Sequence, residues 1–263
     1  MGKYEGYMIC TDLDGTFTQL SENQEVYISK ENIDAVEAFK AGGGLFTFST
    51  GRRPDYIKEN IFPFVKPNAP MITVNGASIY DWEKDKILKS VFLSPDVLDA
   101  PLIAFEKFRD SLEEVYIIAE REEFCLQFSE ENFKENFKDI IARYENWYKF
   151  VFRGIDEEKT VLFQSFLKGL YSDCCSLPRS WQTGQEILSI DATKGERAKD
   201  LKAMFPQVHT LICVGDYEND ISMIEMADKG YAVSNAIESV LAAADYVTVA
   251  NNEGAIAKII GEI

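Results

Sequence analysis

Histidine is almost missing from this sequence: its 263 residues include one, His209. A Ser-His-Asp or Cys-His hydrolase needs that residue as its base, and no GxSxG string supplies a nucleophile, so the chemistry is all but excluded. His209 enters the apolar run HTLICVGD and reads as an incidental strand-end residue. Cysteine is sparse, odd in number at five, and without a CxxC pair, which argues against a disulfide framework and a thiolate zinc site. Cys10 and Cys213 lie in apolar runs and read as core residues, while the neighbours Cys174 and Cys175 carry the one redox alternative. Basic charge is also short. Lys plus Arg total 27 against 44 Asp plus Glu, a net charge of −17, which excludes a nucleic-acid binder relying on a basic face. No apolar run approaches the ~18 residues of a membrane span, and the opening MGKYEGYMICTD has no signal-peptide pattern, so no membrane partner and a cytoplasmic location are expected.

What is present is ordinary for a folded chain: 46% hydrophobic and 27% charged residues, in a length suited to one large domain or two modest ones at roughly 150 residues each. The first third alternates strand and helix signals: YMICTD, a helix from about Lys30 to Ala41, LFTFST, a short helix near Pro54 to Asn60, then MITVN. Such alternation indicates parallel βαβ units. The run Gly42-Gly43-Gly44 lacks a following GK[ST] and reads as a helix C-cap, not a phosphate loop. From about Trp82 to Gln185 the pattern changes. VYIIAE and EFCLQF are close enough to pair antiparallel, among helix candidates at Pro95 to Leu112, Glu130 to Asn146 and Glu157 to Leu170. After Asp191 the alternation resumes, through a helix from Lys194, the strand TLICVGD, a helix near Asn219 to Ala227, YAVSN and DYVTVAN. The economical architecture is an α/β protein: a Rossmann-like parallel-sheet core, residues 1–81 and 186–263, interrupted by an α/β insertion of mixed or antiparallel sheet at 82–185. All three tryptophans and eleven of the eighteen phenylalanines fall in that insertion, where they are expected to build its own core.

Two acidic strings stand out. Cys10-Thr11-Asp12-Leu13-Asp14-Gly15-Thr16 follows the first strand, and Gly215-Asp216-Tyr217-Glu218-Asn219-Asp220 follows the strand LICV. The carboxyl edge of an open parallel sheet is where ligands bind. Alternation along an extended strand would point Asp12 and Asp14 to the same side. If both strands are central, Asp12, Asp14, Asp216 and Asp220 converge, and each pair at ~4 Å would repel by about 4 kcal/mol at an effective dielectric of 20. Such a cluster calls for a cation, and all-oxygen donors without clustered His or Cys favour Mg2+. Lys194 opens the preceding helix and offers a further positive charge.

With these strings on view, the sequence resembles the haloacid dehalogenase (HAD) superfamily of phosphohydrolases. DLDGT, the turn Ser49-Thr50-Gly51-Arg52, Lys194 in ATKGE, and GDYENDI occur in the order of its four motifs. VNGA at Val74 to Ala77 and the ending ADYVTVANNEGAIAKII look like its Cof-type branch (subfamily IIB), which carries a large α/β cap between the second and third motifs. The resemblance implies a Mg2+-dependent phosphatase acting on a small phosphorylated metabolite, such as a sugar phosphate, with the cap closing over it and setting substrate choice. It implies Asp12 as nucleophile, already ionised at neutral pH, forming an aspartyl-phosphate. Asp14 would be the general acid and then base, kept protonated by neighbouring negative charge. Thr50 would donate to a phosphoryl oxygen and Lys194 would neutralise charge. The metal would bind the Asp12 carboxylate, the Asp14 backbone carbonyl and Asp216, with Asn219 and Asp220 orienting ligands or metal-bound water. Arg52 and Asn75 lie beside matched positions, where substrate contact and loop stabilisation are both open, and they stay off the catalytic set.

The departures are small: Phe17 replaces the leucine usual in the branch, and Ser234 stands where glycine is more common. Two other readings remain. A related mutase would keep the aspartyl-phosphate but pass the phosphoryl group to a sugar. A non-enzymatic module would only hold phosphate or metal, with no need of Asp14. Residues 82–187 hold 14 basic and 21 acidic side chains, so neither part of the chain steers anions inward, and capture by Mg2+ and Lys194 is expected to be local.

Overall fold

The computed structural model describes residues 2–20 and 25–263. Its central sheet is parallel throughout, in the order Tyr246–Val247, Lys229–Ala232, Thr210–Gly215, Tyr7–Thr11, Leu45–Phe48. The strand Tyr7–Thr11 shows why. Its apolar run buries alternate residues on opposite faces, as strands sandwiched between helices must. Ile9 joins Phe46, Phe48, Ile212 and Val214 against Val36 and Phe39 of the helix Lys30–Ala41 and Ile256 and Ile259 of the helix Ala255–Gly261. Met8 and Cys10 join Leu211 and Cys213 against Ala198 and Leu201 of the helix Lys194–Ala203. The result is an α/β/α arrangement with a core on each side of one sheet. Phe17 belongs to it: the ring packs on Phe46 and Phe48, a purely apolar consequence of its departure from leucine. Gly42 caps the helix Lys30–Ala41 and Gly43 follows at φ 91°, the left-handed exit expected of the glycine run.

The chain divides into two compact units, Met1–Ser90 with Thr193–Ile263, and Val91–Ala192. The expected boundaries at 81/82 and 185/186 cut through strand pairs. Lys86–Ser90 pairs with Ser78–Asp81 in the first unit, and Gly184–Ser189 pairs with Lys149–Gly154 in the second. The second unit is an antiparallel sheet in the order Cys175–Ser176, Gly184–Ser189, Lys149–Gly154, Leu112–Ile118, Glu123–Gln127, with Arg179–Trp181 also on Gly184–Ser189. One face is packed by the helices Ala100–Phe108, Phe133–Ile141 and Glu157–Tyr171 through an aromatic core that includes Phe128, Phe133, Phe150, Phe152 and Phe163. The phenylalanine-rich middle of the sequence is this core. Trp82 corrects the expectation for the tryptophans: it packs edge-on to Phe62 in the first unit, donating to Pro67 O at 3.1 Å. Trp181 is exposed, and Trp147 alone is a fully buried core residue of the second unit. Among the described residues no helix is long and apolar enough to cross a membrane.

Candidate active site

Asp12 follows the strand Tyr7–Thr11 and Asp216 follows Thr210–Gly215. These strands are parallel neighbours with Thr11 opposite Val214, and the Asp12 N–H donates to Val214 O at 2.9 Å. The sheet ladder therefore delivers both carboxylates to one edge. Lys194 reaches them from the first turn of its helix, which is capped by the Thr193 side chain accepting from Glu196 N–H. A cation at a helix N-terminus opposes the helix dipole, so its position is fixed by carboxylates instead. The fully buried Nζ donates to Asp12 Oδ1 at 2.7 Å and to Asp220 Oδ1 at 2.6 Å. Burial pulls the Lys194 pKa down, but Asp12 and Asp220 outweigh it and hold the ammonium above the usual lysine range.

Asp220 has both oxygens engaged: Oδ2 accepts from the N–H groups of Asp216 at 2.9 Å and Tyr217 at 3.2 Å. It thus anchors the loop and the lysine together. Asp216 Oδ1 accepts from Thr16 Oγ1 at 2.7 Å. Gly15, at φ 81°, leaves no room for a side chain there, since a Cβ would come within 2.5 Å of Asp216 Oδ2. Oxygens of Asp12, Asp216 and Asp220 lie within 4.8 Å of one another. Burial, then Asp220, raises the Asp12 carboxyl well above the ordinary range despite Lys194. The same two causes push Asp216 up to about 7 against the bond from Thr16. Burial and the neighbouring carboxylates thus disfavour the charged form of Asp12, which calls for a neighbouring cation.

Asp14 lies beyond the end of its strand, so strand alternation does not set its direction. The strand ends at Thr11, and Leu13 O then accepts from the N–H groups of Thr16, Phe17 and Thr18, which turns the chain. Asp14 is exposed, its two oxygens accepting from Arg52 Nε at 2.9 Å and Nη2 at 3.1 Å. Its immediate partner is a guanidinium, stacked in turn on Tyr56, and its own charge still reaches Asp12 and Asp216, raising the pKa of each. Thr50 is wholly buried and its hydroxyl accepts from Arg52 N–H at 3.1 Å, which leaves the hydroxyl proton available to another acceptor. Asn219 donates through Nδ2 to Asn75 Oδ1 at 3.1 Å. Sequence reasoning gave no role to Thr16, although it sits inside DLDGT, and could not see that Asn75 meets Asn219 across 144 residues.

The donor set is all oxygen, as a hard divalent ion requires. Asn219 Oδ1 is buried without a hydrogen-bond partner among the described residues, an orphaned acceptor beside carboxylates whose charge is not balanced. The residues fit such an ion.

The family profile of haloacid dehalogenase-like hydrolases matches residues 9–260, and the chain belongs to that family, in its Cof-type branch. It is a phosphoric monoester hydrolase. The chain is 27% identical over 255 residues to the 5-amino-6-(5-phospho-D-ribitylamino)uracil phosphatase YcsE of Bacillus subtilis, covering 96% of this chain and 94% of that one. Its fold is similar to a haloacid dehalogenase-like hydrolase from B. subtilis, with a TM-score of 0.81, 21% identity and coverage of 97% and 99% of the two chains. It is also similar to the HAD subclass IIB sugar phosphatase BT4131, with a TM-score of 0.74, 22% identity and coverage of 97% and 98%.

Proposed function

We propose that this chain is a Mg2+-dependent phosphatase of a small phosphorylated metabolite, such as a sugar phosphate, working through an aspartyl-phosphate on Asp12. The observation that carries the reading is the Lys194 ammonium held between Asp12 and Asp220 beside Asp216. Lys194 engages Oδ1 of Asp12, so Oδ2 is the oxygen that attacks phosphorus; the Oδ2–P bond forms as the bond to the ester oxygen breaks. Asp14 gives its proton to that oxygen, for which it must part from Arg52. In the second half Asp14 removes a proton from water, which attacks phosphorus and frees Asp12. Thr50 donates its hydroxyl proton to a phosphoryl oxygen, and Lys194 offsets charge on the nucleophile and the transferring group. Asp12, the Asp14 carbonyl and Asp216 would hold the Mg2+, with Asn219 and Asp220 orienting its ligands. When bound, the ion neutralises the approach of a carboxylate to an anionic phosphoryl group. We assign substrate choice to the inserted unit, Val91–Ala192.

The test is inorganic phosphate release from a panel of phosphorylated sugars, polyols and ribityl-pyrimidine phosphates, with Mg2+ or with EDTA. Release with Mg2+ and its loss in EDTA are expected. An isomeric sugar phosphate without free phosphate would instead identify a mutase, and retained phosphate without turnover a storage module.

A second prediction follows from Asp216. Its carboxyl is pushed up to about 7 in the folded protein, above the ordinary aspartate value of about 3.9, so between those values the folded state holds a proton that the unfolded chain has lost. This contribution therefore lowers the stability of the metal-free protein as pH rises towards 7. Mg2+ binding needs that proton gone. The rise in Tm produced by a fixed Mg2+ concentration should be small near about pH 5.5 and grow to a plateau by about pH 8, and Asp216→Asn should flatten the profile. Thermal scans in Mg2+ and in EDTA measure it; an equal Mg2+ effect at both pH values contradicts the assignment.

A further inference from the structure

We propose that Asn75 is a positioning residue for phosphoryl transfer: it fixes which end of the Asn219 carboxamide is turned towards the reacting groups. The inference rests on the reading above, which places Asn219 at the metal and phosphate. A carboxamide has a donor end and an acceptor end. Because Asn219 Nδ2 is spent on Asn75 Oδ1, Asn219 Oδ1 points the other way, and it is the buried atom left without a partner. Asn219 thus presents an acceptor, not a donor, to whatever occupies the site.

The backbone around Asn75 is built for this task at a cost. Val74, Asn75 and Gly76 have φ of 54°, 54° and 89°. Left-handed geometry is tolerated by Asn and Gly but is an outlier for β-branched Val74, and such strain persists only where the surroundings enforce it. Here they do. The N–H groups of Val74 and Asn75 donate to Arg52 O at 3.1 Å and Thr50 O at 2.9 Å. A Cβ on Gly76 would fall 2.2 Å from Thr193 O, and one on Gly51 would fall 3.1 Å from Asn75 Oδ1. The segment is therefore wedged against the Thr50 turn and the residue before Lys194 while its side chain holds Asn219.

The test is a double-mutant cycle on kcat/KM for ester hydrolysis in saturating Mg2+, with Asn75→Gly, Asn219→Ala and the double variant. Glycine keeps the left-handed backbone and removes only the side chain. Each single change should lower kcat about tenfold with KM within about twofold, and the double should be no worse than Asn219→Ala. Multiplying losses, near about 100-fold in the double, or a wild-type rate in either single variant, overturn the proposal. Asn75→Asp keeps both the backbone geometry and the acceptor oxygen and should stay within about threefold of wild type. A loss there as deep as the tenfold expected for glycine also overturns it, whether or not Asn75→Gly folds. An Asp12→Asn control that still turns over would instead remove the underlying site assignment.

Discussion

Asp12→Asn is expected to release phosphate at less than about one-thousandth of the wild-type rate, while the metal-free variant unfolds at or above the wild-type temperature. The first half follows from chemistry. An amide of nearly the same shape cannot supply the electron pair that forms the bond to phosphorus, and no neighbouring group takes its place: Asp220 has both oxygens engaged and Asp14 faces Arg52. The second half follows from charge. Two buried carboxylates, Asp12 and Asp220, share one ammonium with the half-buried Asp216 beside them, and burial and Asp220 already raise the Asp12 pKa. Neutralising Asp12 relieves that repulsion, the usual opposition between stability and activity at a reacting centre. Phosphate release and thermal unfolding in EDTA check both halves; a variant that is inactive because it is destabilised would refute the electrostatic account.

Lys194→Met should be damaging in both respects. The side chain is fully buried and its removal strands Asp12 and Asp220 without their cation. Breaking one side of a buried ion pair costs about 3–5 kcal/mol. Denaturant unfolding should report that loss in the first unit, where Trp82 is the resident indole, with turnover abolished as well. Adding Asp220→Asn to Lys194→Met should recover part of the stability and none of the activity, because it removes a stranded charge without restoring the ammonium at Asp12. If the single variant proves as stable as wild type, the buried bridge is not what holds these three segments together.

Several parts of this molecule were legible in the sequence for physical reasons. Alternating apolar strands and helices repeat locally, so the parallel sheet and helices such as Lys30–Ala41 and Pro54–Asn60 follow from short windows of residues. The strings around Asp12, Thr50, Lys194 and Asp216 were each visible because a loop at a strand end or a helix start concentrates its polar residues in a few positions. What escaped depends on partners far apart in the chain. The Asp14–Arg52 fork, the Thr16–Asp216 bond and the Asn75–Asn219 bond each join residues whose separation carries no periodic signal. Trp82 escaped for a related reason: the hairpin from Ser78 to Ser90 keeps it in the first unit, and a hairpin's allegiance is set by what it packs against. The raised pKa of Asp12 was hidden too, since residue type fixes the reference value and only burial reveals the shift.

The pairing of Tyr7–Thr11 with Thr210–Gly215 also sets an order of events during synthesis. A ribosome makes all of Val91–Ala192 as one uninterrupted stretch before it makes the strand that sits beside Tyr7–Thr11. The insertion can gather its aromatic core while the earlier sheet still lacks its middle neighbour, so nascent chains expose one flank of the Tyr7–Thr11 strand for most of translation.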